Sequence, residues 1–293
     1  MRIPNIFHFV FGLKKQTEPF HLLYYLCLES CIQVNSPEKI YLYYHYEPYG
    51  PYWDLIKPKL ILVKASLPKF IEDYQYQEKI ITRFKYAHLA DFVRLENIVE
   101  QGGVYADMDT LFVNKLPSLL FTKDFVMGRE SDVFCPSAQT LKPSLCNAFM
   151  MSAPGATFGQ LWLARMEQAF DGSWSRHSCF LPQELSEQYP DAIHIEPPRS
   201  FYRHSFTRDG IYTLLQGYDD DYTGIYSMHL WNHLWWDRWR KDFSDFHGDL
   251  LTQHYIRTKD TTYNVIARKY LPEICADQSP SLLNTIKSYF GFS

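Results

Sequence analysis

Hydrophobic residues in this chain form short runs that alternate with longer stretches of helical periodicity. Runs of about four to eight apolar residues are typical of buried strands, and apolar residues that recur every third or fourth position predict helices. Because the two kinds of segment alternate over the first half, the pattern predicts an α/β fold with a mostly parallel central sheet flanked by helices, and a mixed carboxyl-terminal part. The predicted strands are Ile6–Phe11, Ile40–His45, Leu60–Val63, Val104–Ala106, Phe125–Met127, Phe149–Ser152 and Ile225–Leu230, and the predicted helices are Phe20–Gln33, Thr82–Gln101, Thr157–Phe170 and Leu250–Tyr270.

No repeat, low-complexity tract or clear linker interrupts this pattern. The 293 residues therefore predict a single domain, 1–293, that can bury a sizeable core. Parallel sheets bind ligands at the carboxyl ends of their strands, so the main site is expected in the half that spans about residues 1–155. The remaining half, about 156–293, has no comparable motif and is expected to form the acceptor side.

Composition narrows the classes of ligand. The net charge is -4, and the chain lacks the basic surface that neutralises phosphates, so a nucleic-acid partner is not expected. Aromatic residues make up 17% of the chain, which suits stacking on bases or sugar rings, although an aromatic core explains most of them. Charge and composition alone therefore exclude more than they identify.

The cysteines and apolar runs bear on the compartment. There is no Cys-x-x-Cys pair, so reduced thiols in a cytoplasmic protein are expected. The start of the chain is broken at Pro4 and Gly12, unlike a signal peptide, and no run reaches the roughly 18 apolar residues of a membrane span. The six cysteines are Cys27, Cys31, Cys135, Cys146, Cys179 and Cys275.

The stretch EQGGVYADMDTLFV places two aspartates directly behind a predicted helix, a Gly-Gly break and a short strand. In an extended chain Asp107 and Asp109 point to the same side, where two like charges repel unless a cation lies between them. Oxygen ligands suit Mg²⁺ or Mn²⁺, and such ions often keep positions open for phosphates of a substrate. Asp-x-Asp alone is also common in solvated turns, so its position behind the strand carries the prediction of a metal site.

Asp91 and Arg94 lie three residues apart on the preceding helix, close to its apolar stripe. This spacing places both side chains on one face of the helix. A structural ion pair is one interpretation of such a pair. A role in ligand binding is the other.

The segment LADFVRLENIVEQGGVYADMD resembles the signature of GT-A glycosyltransferases with a DXD-containing sugar-binding region, glycosyltransferase family 32, related to the Golgi alpha-galactosyltransferases and the clostridial glucosylating toxins. Their pattern is Asp-x-x-Arg, a helix, and then Gly-Gly-x-Tyr-x-Asp-x-Asp, and each fixed position is present here. The resemblance covers roughly residues 3–152 and, less fully, 225–236. It implies a GT-A type, Rossmann-like sheet.

Carried over to this sequence, the resemblance implies roles for the residues of the signature. Asp109 is expected to bind the metal directly, and Asp107 to lie toward the ribose and the waters on the metal. Asp91 and Arg94 are expected to hold hydroxyls of the donor sugar. Tyr105 is expected to pack near the nucleoside.

The amino-terminal IPNIFHFVFG is similar to the first strand of the family, and it implies a nucleotide contact at Phe9, Phe11 and Gly12. Phe11 stands where the family pattern has a tryptophan that stacks on the base. Phenylalanine offers a smaller ring face without an indole N–H. The smaller ring of Phe11 therefore favours a uracil base over a guanine base, as a preference and not a requirement.

Two later segments are also similar to the family. LCNAFMMSAPG makes Asn147 a contact to the donor sugar or the acceptor, although an amide that satisfies a strand end is an equal alternative. YSMHLWNHLWW makes His229 the third metal ligand and Asn232 a contact to the phosphates or the metal shell. His233 is a rival ligand, and a histidine packed in a tryptophan-rich core is the alternative for His229.

The resemblance implies a metal-dependent hexosyltransferase that uses Mn²⁺ or Mg²⁺. It would move a sugar from a nucleotide-sugar donor, expected to be a UDP-hexose, to a hydroxyl of a glycan, lipid-linked glycan or protein acceptor. The transfer is expected to retain the anomeric configuration, and the expected role is polysaccharide biosynthesis. A nucleotide-sugar hydrolase and a non-catalytic nucleotide-sugar-binding protein are the alternatives. The chain has no Gly-x-Ser-x-Gly, Walker or His-Glu-x-x-His motif for other chemistry.

The segment from Trp231 to Phe243, WNHLWWDRWRKDF, interleaves tryptophans with basic residues. Such a segment can lie at a membrane surface, so peripheral contact with the inner face of a membrane is one hypothesis. Stacking on acceptor sugars and closure of the nucleotide site are the alternatives.

Overall fold

The structure is a computed structural model that describes residues 2–76, 85–135, 138–232 and 248–273. Within these ranges the chain forms a large sheet, two small two-stranded sheets and helices on both sides. The strands are β1 (Ile6–Val10), β2 (Lys39–Tyr44), β3 (Ile61–Lys64), β4 (Gly103–Ala106), β5 (Thr110–Phe112), β6 (Phe125–Arg129), β7 (Val133–Cys135), β8 (Thr140–Lys142), β9 (Leu145–Ser152), β10 (His194–Glu196) and β11 (Ser227–His229).

The large sheet has seven strands in the order β10-β6-β9-β4-β1-β2-β3. β1 pairs in parallel with β2 and β4, β2 with β3, and β6 with β10, whereas β9 is antiparallel to both of its neighbours. This mostly parallel sheet confirms the predicted α/β fold. β5 pairs with β11, and β7 with β8, in the two antiparallel ribbons.

Several helices bury apolar faces against the strands: Lys85–Gln101 packs on β1, β4 and β9, and Pro198–Tyr202 packs on β6, β10 and β11. Among the described residues, no helix is both long and apolar enough to cross a lipid bilayer. The α-helices are α1 (Leu22–Asn35), α2 (Pro51–Ile56), α3 (Lys69–Glu72), α4 (Lys85–Gln101), α5 (Thr157–Ala169), α6 (Leu181–Gln188), α7 (Pro198–Tyr202), α8 (Arg208–Leu215), α9 (Gln253–Thr258) and α10 (Thr262–Ala267).

The predicted helix Leu250–Tyr270 is wrong as a single element, because the chain breaks it between α9 and α10. Thr252 caps α9 and Thr261 caps α10, and each hydroxyl accepts a hydrogen bond from a backbone N–H three residues later. A threonine that satisfies a free helical N–H favours a new helix start over continuation of the old one. The other predicted elements are present with shifted ends, and the start of the predicted helix Thr82–Gln101 lies outside the described residues.

The Gly102–Gly103 pair turns the chain sharply from α4 into β4. Both residues have positive φ, +71° and +121°, and a Cβ added at Gly103 would lie 2.4 Å from the carbonyl oxygen of Ile6. Only glycine allows this approach without strain. The two glycines therefore let β4 pair directly with β1 and fix where the strand ends at Ala106.

His8, on β1, supports this turn from inside the sheet. Its Nε2 lies 2.9 Å from the carbonyl oxygen of Gly102 and its Nδ1 3.0 Å from the hydroxyl of Tyr43, and the ring is fully buried. Nε2–H donates to Gly102, and Nδ1 accepts from Tyr43, so the arrangement requires the neutral imidazole. Burial lowers the pKa of His8 to about 4, although the hydrogen bond to Gly102 opposes the shift.

This lowered pKa predicts a loss of stability in mild acid. Below pH 6.5 His8 is protonated in the unfolded chain, whereas in the folded chain it stays neutral down to about pH 4. The free energy of unfolding therefore decreases as the pH falls from 6.5 toward 4. Between pH 7 and pH 5 the loss from this group is about 2 kcal/mol. The free energy of unfolding, measured with urea, should therefore decrease by about 2 kcal/mol less between pH 7 and pH 5 in His8→Gln than in the wild type.

His254 is exposed and provides the matched control. His254→Gln should keep the pH dependence of the wild type. An unchanged pH dependence in His8→Gln would contradict the assignment of a neutral, buried His8.

Candidate active site

Three potential metal ligands meet beyond the carboxyl end of β4. Asp107 and Asp109 follow this strand and lead into β5, and His229 ends β11. The antiparallel pairing of β5 with β11 sets His229 opposite Thr110. This register brings together side chains that are 120 residues apart in the sequence.

The distances within this group suit a divalent ion. Nε2 of His229 lies 3.0 Å from Oδ1 of Asp109 and 3.8 Å from Oδ2 of Asp107, and one ligand atom from each residue lies within 4.8 Å of the others. Ligands at right angles around an ion at about 2.1 Å are about 3.0 Å apart. The group could therefore hold a divalent metal ion, and its oxygen and nitrogen atoms fit both Mn²⁺ and Mg²⁺.

Asp109 is fixed by the backbone that follows β11. Its Oδ2 accepts a hydrogen bond of 2.8 Å from the N–H of Asn232, and its carbonyl oxygen accepts one of 3.0 Å from the N–H of Leu230. The side chain is almost fully buried, at 3% exposure of the residue. The hydrogen bond from Asn232 therefore fixes the orientation of the Asp109 carboxyl group beside His229.

Trp231, between these two donors, has a left-handed backbone with φ of 55°. This conformation is strained for a bulky residue, and such strain is concentrated at functional sites. It directs the N–H of Asn232 toward Asp109 and packs the indole ring on His229, with 4.5 Å between ring centroids. Indole Nε1 donates to the carbonyl oxygen of His204 at 2.8 Å. Trp231, the first residue of the tryptophan-rich segment, is thus part of the site.

Burial and the two neighbouring carboxylates act in opposite directions on the pKa of His229. Burial lowers the pKa of His229, but Asp109 and Asp107 outweigh this effect and raise it above the ordinary value. Metal-binding histidines usually donate their second N–H to an acceptor. In the part of the chain that the structure describes, Nδ1 of His229 is buried without such a partner.

Arg94 links the helix to the metal group through a buried network. Its guanidinium lies 2.9 Å from Oδ1 of Asp91 and 3.0 Å from Oδ1 of Asp107, and it donates to the carbonyl oxygen of Asn147 at 3.1 Å. Oδ1 of Asp107 also accepts from the hydroxyl of Tyr105 at 2.6 Å. Since Arg94 and Tyr105 occupy Oδ1 of Asp107, Oδ2 is the oxygen that faces His229.

Asp91 is held from three sides. Nδ2 of Asn147 donates to its Oδ1 at 2.8 Å, and Nε2 of His177 lies 2.8 Å from its Oδ2. Burial by itself raises the pKa of Asp91, but Arg94 and His177 outweigh it and hold the pKa below the usual range. Asp91 is therefore an ionised carboxylate with fixed orientation.

A first pocket opens on one side of Asp107 and Asp109. Its walls carry ring faces, two lysines and several backbone groups after β1, and Arg94, Tyr105 and Asn232 also reach it. The ring of Phe11 contacts that of Tyr24, with 4.5 Å between centroids. Other lining residues are Gly12, Lys14, Lys15, His21 and Tyr86.

Phe9 does not line this pocket, in contrast to its predicted role at the nucleotide. It is fully buried in the core, because β1 is a central strand with helices on both faces. The prediction therefore needs correction at this residue. Of the three residues predicted to contact the nucleotide here, Phe11 and Gly12, which follow β1, line the pocket.

A second pocket, with a volume of about 450 Å³, opens on the other side of Asp107 and Arg94. Asp91, Asn147 and His229 line it together with a carboxyl group that the sequence did not single out, Glu130. Burial raises the pKa of Glu130, although a hydrogen bond from Ser144 opposes the shift. The aromatic lining residues are Phe134, Trp174, Phe206 and Trp231.

The structure thus bears on the alternatives left open by the sequence. Asp91 and Arg94 form an ion pair and also line the second pocket. Asn147 lies within β9 and donates to Asp91, so its amide does not serve a strand end. The rival ligand His233, and residues 233–243 of the tryptophan-rich segment, lie outside the described residues. Among the described cysteine side chains, Cys27, Cys31, Cys146 and Cys179 are free thiols.

The α/β sheet thus carries, between two pockets, an Asp-Asp-His group that could bind a divalent ion. Residues 28–126 match the family described as "Glycosyltransferase sugar-binding region containing DXD motif". This match confirms the resemblance drawn from the sequence, and the protein is a glycosyltransferase.

Known proteins extend the likeness beyond this region. "Glucan organizing enzyme 1" of Cryptococcus neoformans is 28% identical over 278 residues, which are 92% of this chain and 71% of that protein. Among solved structures, glycosyltransferase GlyE of Streptococcus pneumoniae covers 98% of this chain and 64% of its own, with 10% identity and a TM-score of 0.47. Mouse xyloside xylosyltransferase 1 covers 76% of this chain and 96% of its own, with 11% identity and a TM-score of 0.44.

The buried network predicts that Asp91 matters for stability. In Asp91→Asn, Arg94 keeps Asp107 as a carboxylate partner but loses Asp91, and removal of one member of a buried ion pair costs about 3 kcal/mol. Urea unfolding should show this loss. Asp260, which pairs with Arg268 while 70% of its side chain is exposed, is the control, and Asp260→Asn should cost less than about 1 kcal/mol. Equal stability of the two variants would contradict the network.

The metal group predicts a specific order of Mn²⁺ affinities. Asp109→Asn removes an anionic ligand and should abolish measurable binding in a calorimetric titration, and His229→Ala should weaken binding at least tenfold while the fold is retained. Asp54→Asn, on the exposed face of α2, should bind like the wild type. Full Mn²⁺ affinity in Asp109→Asn would exclude this group as the metal site.

Proposed function

We propose that this glycosyltransferase is a metal-dependent, retaining hexosyltransferase that uses a UDP-hexose and transfers the sugar to an acceptor hydroxyl. The observation that carries the proposal is that Asp107 and Arg94 line both pockets, with the metal ligands Asp109 and His229 on either side. A bound nucleotide sugar has a corresponding layout, with a nucleoside, a diphosphate and a sugar in line. The Asp-Asp-His group would then lie at the diphosphate.

The first pocket suits the nucleotide. Phe11 and Tyr24 present ring faces for a base, and Lys14 and Lys15 supply positive charge near the metal group for phosphate oxygens. The backbone at Gly12, with φ of +74°, approaches the carbonyl oxygen of Tyr46 closely, and no side chain fits there. The phenyl ring of Phe11 offers a small stacking surface, which favours uracil over guanine.

The second pocket suits the donor sugar. The ionised Asp91 can accept hydrogen bonds from sugar hydroxyls, and Asn147 and Arg94 keep its oxygens in place. Arg94 offers a fixed positive charge next to the bond that reacts. We assign the donor to the half of the chain up to about residue 155, and acceptor contacts to the half from about 156 to 293 together with the residues near Glu130 in the first half.

In the proposed reaction, the bond between the anomeric carbon and the diphosphate oxygen breaks, and its electron pair stays on the diphosphate. The acceptor oxygen forms a new bond to the anomeric carbon on the face that the diphosphate leaves, and its proton passes to the departing phosphate oxygen. A bound Mn²⁺ or Mg²⁺ would act as a Lewis acid that neutralises charge on the diphosphate. The resemblance to retaining relatives supports attack on this face.

The acceptor is proposed from the fungal relative. That protein is named a glucan organizing enzyme, and it matches 92% of this chain. Glucan oligosaccharides are therefore the first acceptors to test, ahead of lipid-linked or protein acceptors. A role in polysaccharide biosynthesis follows from this choice.

The proposal predicts Mn²⁺-dependent turnover of one nucleotide sugar. A panel of UDP-hexoses and GDP-hexoses should show release of nucleotide diphosphate for a UDP-sugar, loss of activity in EDTA, and at least a hundredfold lower rate in Asp109→Asn. Addition of glucan oligosaccharides should divert the sugar from water to the acceptor, and mass spectrometry would detect the extended product. Asp54→Asn serves as the active control.

Three outcomes would contradict the proposal. Full activity in EDTA would exclude the metal, and release of free sugar that no acceptor reduces would identify a hydrolase. Binding of UDP-sugars without any turnover in the presence of Mn²⁺ would identify a binding protein.

A further inference from the structure

Among the described residues that line the second pocket, Glu130 is the one carboxyl group without a role in the proposed reaction. It follows β6 and is 6% exposed. Its carboxyl accepts a hydrogen bond of 2.6 Å from the hydroxyl of Ser144, and the thiols of Cys146 and Cys179 are its other hydrogen-bonding neighbours. Among the described residues these donors are all neutral.

The other two carboxylates of the pocket are compensated differently. Asp91 has Arg94 and His177 as partners, and Asp107 has Arg94 and the hydroxyl of Tyr105. Glu130 has no such ion pair among the described residues, although the nearby His229 acts on it electrostatically. A buried carboxyl that is compensated this weakly is costly to the fold, and such groups are concentrated at functional sites. Glu130 is therefore placed to accept a hydrogen bond from a ligand in the second pocket.

The wall next to Glu130 is aromatic. Phe134 and Trp174 line the same pocket, and Phe134 is 53% exposed. Phe134 pairs across the β7–β8 ribbon with Leu141, which is 61% exposed. A site with broad apolar walls and a small number of well-placed polar groups is typical of a specific small-ligand pocket. A sugar ring fits this chemistry, because it has an apolar C–H face and hydroxyls at its edge.

We propose that Glu130, Phe134 and Trp174 form an acceptor subsite for a carbohydrate, in which the Glu130 carboxyl accepts a hydrogen bond from an acceptor hydroxyl and the two aromatic rings pack on the sugar face. This inference rests on the proposed function, because it assigns Asp91, Arg94 and Asn147 to the donor sugar. Glu130 binds the acceptor and exchanges no proton with it. The protein thus selects a sugar acceptor in preference to a serine or threonine side chain.

The test separates acceptor binding from donor chemistry. Glu130→Ala and Glu130→Gln are compared with the wild type in two assays: Mn²⁺-dependent hydrolysis of the UDP-hexose without acceptor, and transfer to p-nitrophenyl glucosides and glucose oligomers. Glu130→Ala should raise the KM for the sugar acceptor about tenfold or more, because the acceptor hydroxyl loses its buried hydrogen-bond partner. Hydrolysis should change less than twofold, and Glu130→Gln, which keeps an acceptor oxygen, should lie between.

Glu196 provides a matched control. It accepts a hydrogen bond from the hydroxyl of Ser200 and lines neither pocket, so Glu196→Gln should leave both assays unchanged. Phe134→Ala, on the exposed ribbon, should also raise the acceptor KM without loss of hydrolysis. Unfolding curves of all variants show whether the fold is intact.

The outcomes distinguish this inference from the proposed function. An unchanged acceptor KM in Glu130→Ala, an equal loss of hydrolysis and transfer in folded Glu130→Gln, or transfer to a serine peptide instead of sugars would overturn the acceptor subsite. Absence of any hydrolysis and transfer in the wild type would contradict the proposed function instead. In that case saturation-transfer NMR with p-nitrophenyl glucoside decides: contact in the wild type that Glu130→Ala loses supports the subsite, and no contact in the wild type overturns it.

Discussion

The convergence of three carboxylates on one buried cleft is the constraint on which the rest of the structure depends. Asp91, Asp107 and Asp109 would repel one another in a desolvated site, and each is compensated by fixed donors. Arg94 lies between Asp91 and Asp107, whereas His229 and the backbone after β11 hold Asp109. The group formed by Asp107, Asp109 and His229 could hold a divalent ion, and pockets open on both sides of it.

The backbone is shaped to keep these charges in place. Gly102 and Gly103 turn the chain so that β4 pairs with β1 and ends at the cleft, and a side chain at Gly103 would collide with β1. Trp231 adopts a left-handed conformation that sends the N–H of Asn232 to Asp109. Local strain at Trp231 is thus offset by a hydrogen bond to a buried charge.

The cleft also explains why one group of residues can serve two ligands. Arg94 and Asp107 separate a pocket with rings and lysines from a larger pocket with rings and carboxyl groups. A transferase needs this division, since the donor must place its reactive bond at the boundary while the acceptor approaches from one side. Glu130 belongs to the larger pocket and is the clearest candidate for a contact that selects the acceptor.

The sequence by itself determined the α/β pattern, the Gly-Gly break and the Asp-x-Asp element, because periodicity, glycine stereochemistry and closely spaced charges are local properties. The motif also pointed to His229, through resemblance to a family. Only the tertiary structure decided that Phe9 is core, and that Glu130, His177 and Trp231 surround the site. Their contacts join residues far apart in the chain, and such pairings depend on strand register and helix packing, which no local pattern specifies.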